Sequence, residues 1–158
     1  MSGSSLGASI PILSFDPIEQ IMFVGLAGLK VETALQIQVI FDAIDRFWTR
    51  RCAPDRVYGV IDYTNFSLNM ALTSKWAERV KYGGNTYSIA TIRFTSDLSA
   101  RATMRAVAVK THQPSNLYLT REDAIASCHP STYAPPHLLL TSSCILSRNV
   151  ESLSCAVE

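Results

Sequence analysis

Several things are scarce in this chain, and each scarcity closes a door. Charged residues make up only 17% of the 158 positions, and the formal net charge is +1. That balance supplies no concentrated basic surface, so a broad nucleic-acid footprint is excluded. Histidine occurs three times, as His112, His129 and His137. Nucleophilic catalysis needs a nucleophile with a base in reach, most often histidine. His112 sits in a Lys-Thr-His-Gln-Pro loop, and the other two lie near the C-terminus, so no catalytic residue is assigned. Cys52, Cys128, Cys144 and Cys155 contain no CxxC pair. They read as free thiols of a cytoplasmic protein, not as a disulfide framework. Cys128-His129, His137 and Cys144 lack zinc-site spacing, so no metal is expected. There is no GxGxxG and no P-loop, and no cofactor is implied. Apolar runs are short or broken by Pro and Ser, which argues against a membrane span. The first residues carry no Lys or Arg ahead of their apolar part, unlike a signal peptide.

What is present is the alternation of strand and helix. Residues 1–9 are rich in Ser and Gly and read as a disordered lead-in. Ile10 to Phe15 and Ile21 to Leu26 read as two antiparallel strands around an Asp16-Pro17 turn. Ala34, Ile37, Ile40, Phe41, Ile44, Phe47 and Trp48 recur at three- and four-residue steps, which predicts a helix from about Glu32 to Arg50. Thr33 and Gln36 have capping-box spacing. Arg50 and Arg51 suit the negative end of the helix dipole.

Asp55 to Phe66 holds a short apolar run rich in branched and aromatic residues, and it predicts a buried central strand that opens into a loop and then a helix. A second helix is expected over about Leu68 to Tyr82, with Leu68, Leu72, Trp76 and Val80 on one face. Ser67 or Asn69 would cap it, and Gly83-Gly84-Asn85 would end it. Ser88 to Phe94 predicts a third parallel strand. Thr95-Ser96-Asp97 caps a helix over about Leu98 to Lys110. Leu117 to Leu119 predicts a short edge strand, and Thr120 to Asp123 opens a last helix. From about Ser127 no period persists, and 127–158 reads as a poorly ordered or unrelated tail.

The order β-β-α-β-α-β-α-β-α over residues 10–126 implies an α/β domain with a mixed, mostly parallel sheet of four or five strands and an N-terminal hairpin. The helices can all lie on one face, with the hairpin edge protected by the termini. This is the outline of a STAS/SpoIIAA-like sandwich.

Two strand ends are candidate binding positions. Arg93-Phe94-Thr95-Ser96 joins hydroxyls and a helix start, with Arg93 and Arg101 as guanidinium donors for an anion. A helix cap, with Arg93 paired to Asp97 or Asp62, explains the same residues. Asp62-Tyr63-Thr64-Asn65-Phe66-Ser67 ends the central strand, where ligands of open α/β sheets sit; Asx turns and a cap explain the same residues without any ligand. The anion or phospho-switch candidates are therefore Thr64, Ser67, Arg93, Thr95, Ser96 and Arg101.

These stretches also carry a family resemblance. Phe15-Asp16-Pro17, Phe23 to Val31, Tyr63 to Leu68 and Arg93 to Ser96 resemble the small C-terminal domain of acyl-CoA:acetate/3-ketoacid CoA-transferase-like proteins. Asp62 stands where that family has Asn, Ala27 where Glu is usual, and one residue of its Thr-Thr-Ser step is missing. The resemblance implies a non-catalytic accessory domain partnered by a transferase core or another protein, and a homo-oligomer is open to it. That family's catalytic glutamate has no counterpart here. The alternative is a stand-alone STAS-like module switched by phosphorylation or anion binding at a helix start.

Overall fold

The computed structural model describes residues 10–129. The expected tail falls outside them except for its first three residues, as does the lead-in. Two strands, β1 (Ile12–Asp16) and β2 (Ile21–Gly25), form the N-terminal hairpin, closed by Asp16, whose carboxylate accepts the N–H groups of Ile18 and Glu19. A two-residue strand, β3 (Lys30–Val31), precedes helix α1 (Ala34–Arg51). The Thr33–Gln36 capping box forms, and Arg50 and Arg51 lie in the last turn. Such a cap contributes about 1 kcal/mol.

The central strand β4 (Val57–Asp62) leads into a second two-residue strand, β5 (Ser67–Leu68). A 3-10 turn (Met70–Leu72) then opens helix α2 (Thr73–Thr86). Next come β6 (Ser88–Phe94), α3 (Leu98–Thr111), β7 (Leu117–Tyr118) and α4 (Arg121–Ala126). The five-stranded sheet has the order β1-β2-β4-β6-β7, antiparallel at β1–β2 and parallel elsewhere. β3 and β5 pair in parallel as a separate ribbon.

This topology dictates where the helices go. Each crossover from β2 to β4 to β6 to β7 advances one strand in the same direction. Right-handed crossovers that all advance one way place their helices on one face. The core reflects that: Ile37, Ile40, Phe41 and Ile44 of α1, Trp76 and Val80 of α2, and Ala100, Met104 and Val107 of α3 share one cluster with Met22 and Val24. Aromatic edges hold its centre, with Phe41 and Phe66 rings 5.0 and 5.1 Å from Trp76. The opposite face presents Ile21, Val60 and Ile92, covered by Ala124 of α4 and by Cys128. Cys128 is buried, so packing continues past Ala126.

Three expectations need correcting. The helices do not all share one face, because α4 packs on the side opposite α1, α2 and α3. Gly83 and Gly84 do not end α2, which runs on to Thr86. A Cβ at Gly83 would lie 3.0 Å from the Tyr87 ring, so the glycine is there to admit that ring. The start of α2 also moves: Leu68 is buried in β5, and Asn69 caps the 3-10 turn by accepting from the Ala71 N–H. Ser67 lies exposed on β5 and caps nothing.

Candidate functional site

The chain beyond β2 and the chain beyond β4 are stitched together. Leu26 donates its N–H to Asp62 and Gly28 to Thr64, while Ser67 donates to Leu29 and Asn69 to Val31. Gly28 adopts φ +72°, a conformation glycine reaches without strain. The Asp62 carboxylate accepts the Thr64 N–H at 2.8 Å, shaping the Asx turn read in the sequence. The result is an ordered rim at the carboxyl ends of the central strands.

Against that rim lies a groove of about 370 Å³ on the α4 face. Because α4 is six residues long and packs over β4, β6 and β7, the β1–β2 side of this face is left open among the described residues. The groove is walled by Ile12, Phe23, Leu29, Val60 and Phe94, with Asp62 and Arg121 as its charged groups. The Arg121 guanidinium sits 4.4 Å above the Phe23 ring. A second hollow of about 420 Å³ shares Ser14, Phe23 and Arg121 with it and extends to Asp16 and Pro17. A separate cavity of about 40 Å³ lies between the sheet and α1–α2, where Gly59, Gly83 and Gly84 leave room. Its lining is mostly apolar.

The six candidate residues take up separate duties. Thr95 is fully buried, and its hydroxyl accepts the Asp97 N–H. Asp97 in turn caps α3 by accepting from Ser99 and Ala100, so a carboxylate of the chain already occupies that helix N-terminus. Ser96 is exposed beside it. Arg101 ties Thr95 to Tyr118 through their carbonyls. Thr64 is half-buried within the stitched rim.

Arg93 meets neither Asp97 nor Asp62. Strand alternation turns it into the helix-covered core, where it is 2% exposed. Its Nη1 donates to the carbonyls of Ser115 (3.0 Å) and Pro114 (3.5 Å). Nε and Nη2 have no hydrogen-bond partner among the described residues, nor has Trp76 Nε1. Burial raises the pKa of the Tyr63 phenol; the Arg93 charge and the Trp76 and Arg93 donors near its hydroxyl oppose that rise. A guanidinium buried with no carboxylate against it is costly, and sequence gave no sign of it, since an Arg at a strand end usually reaches water.

Other titratable groups are structural. Tyr87 donates to Asp45 at 2.5 Å, and Arg79 bonds the same carboxylate at 2.9 Å, joining α1 to α2. Burial, then the bond to Asp45, drives the Tyr87 pKa up. Desolvation, then the Glu19 charge, pushes the Cys128 thiol up to about 11, and burial raises Cys52 as well. Both are therefore protonated at neutral pH and poor nucleophiles. His112 is exposed and closes α3 in the left-handed conformation. Among the described residues no cluster of three His, Cys, Asp or Glu is placed to hold a metal, and no helix is long and apolar enough to cross a membrane.

No family model, no curated protein and no solved structure matches the chain.

Proposed function

We propose that this chain is a non-catalytic, STAS-like accessory domain that docks on a larger protein, for which the motif resemblance suggests a CoA-transferase core. The observation that carries this reading is the open half of the α4 face. It is an apolar groove with one acidic and one basic group at its border, on a domain whose other face is filled by three helices. Apolar patches rimmed by polar groups are how interaction surfaces of small domains commonly look. The thiols favour the same reading, because both described cysteines are buried and held protonated.

The test is an NMR titration of the isotope-labelled chain with a purified CoA-transferase core. Shifts are expected at Gly25, Leu29, Asp62 and Arg121. The double substitution Leu29→Glu with Arg121→Glu should weaken binding at least tenfold, roughly 1.4 kcal/mol. Absence of binding, or shifts confined to the α1–α3 side, overturns the docking reading. Acyl-CoA exchange by the purified chain alone overturns the non-catalytic one.

A further inference from the structure

The two edges of the sheet are unlike each other. β7 offers two residues, too short to recruit another strand. β1 offers five, in unbroken register with β2 and with nothing paired on its outer side among the described residues. Natural edge strands are protected by lysine, bulges, inward charges or proline. β1 has no lysine and no bulge. It has prolines, but only at its limits: Pro11 just before the strand and Pro17 just after it. Three large apolar side chains line this edge and its turn, Ile10, Ile12 and Ile18, at 62%, 79% and 89% exposure.

We infer that β1 pairs antiparallel with β1 of a second copy of this chain, about a twofold axis at Ser14. The prolines fix the register. Each stands three residues from Ser14, so pairing centred there engages all five residues of both strands and sets the two prolines opposite each other at each end. Any slipped register puts a proline, with no N–H to give, against a strand residue.

The side chains suit this self-pairing. In it, Leu13 faces Phe15 of the second copy on the helix-covered side, where both already border the main core. Ser14 faces Ser14, and Ile12 faces Asp16 of the second copy. The strand's only charge, Asp16, never meets its like, as cross-strand pairing requires. Alternate N–H and C=O groups of an edge strand point outward, and self-pairing satisfies them. The twofold closes the assembly, so a dimer forms and not a fibre. The buried strip is short, which puts the dissociation constant on the order of 10 µM.

The experiment uses charge at the axis. Ser14 is exposed, so Ser14→Lys and Ser14→Asp are tolerated by the monomer, but in the dimer each sets like charges about 5 Å apart. Sedimentation equilibrium of the full chain should give a dimer for the wild type. Each variant alone should bind itself at least tenfold more weakly, with an unchanged circular dichroism spectrum and melting temperature. An equimolar mixture of the two should recover a one-to-one dimer. A wild-type monomer at ~100 µM, about ten times the expected constant, overturns the inference, as does Ser14→Lys that still dimerises or a mixture that fails to pair. The readout is self-association, so the result is independent of docking at the groove.

Discussion

The two faces of the sheet are built to different rules. On one, three helices contribute a continuous core whose central ring, Trp76, is fully buried between Phe41 and Phe66. On the other, among the described residues, a single short helix covers β4, β6 and β7, and the Arg121 side chain lies over Phe23. Both follow from one topological fact. Crossovers that never reverse direction spend all their helices on one side. Stability therefore resides on the helix side.

Substitutions on the two faces should separate these roles, and the largest effect belongs to the core. Trp76→Ala should cost roughly 3–5 kcal/mol, as loss of a large buried aromatic generally does. Urea denaturation measures it, and a loss under about 1 kcal/mol would mean that the helices are loosely seated. Arg93 sharpens the picture, because it is a charge on the wrong side of the comparison. Arg93→Met keeps most of the volume and removes the unpaired donors, so its stability should stay within about 1 kcal/mol of wild type. Arg93→Ala leaves a hole and should cost about 2–4 kcal/mol. Equal losses for the two would show that the charge itself, and not the space it fills, holds the site. At the small end, Ile12→Thr on the open side should change stability by no more than about 0.5 kcal/mol. A much larger loss would mean that this side is already covered by the chain itself.

The helix-covered side is the part that the sequence made legible. The α1 stripe and its capping box, the span Ser88 to Phe94, and the pair Met104 and Val107 in α3 all announce themselves through period and cap chemistry. The rest was hidden for definite reasons. β3 and β5 are two residues each, too short to carry any period. Gly83-Gly84 reads as a helix stop, because locally glycine is a stop; only the Tyr87 ring, packed against the same helix, explains why the helix continues. Arg93 carries a polar label into a buried position, and nothing local reveals that Pro114 and Ser115 will supply carbonyls from a later loop. The groove depends on what α4 fails to cover, and an uncovered surface has no signature in a linear chain.

The stitched rim has a further consequence for how such a chain can change over time. Leu26 through Val31 is matched rung by rung to Asp62 through Asn69. A residue gained or lost in either segment would throw every later rung out of step. These two connections, which by position resemble ordinary variable loops, are therefore free to lengthen or shorten only in concert.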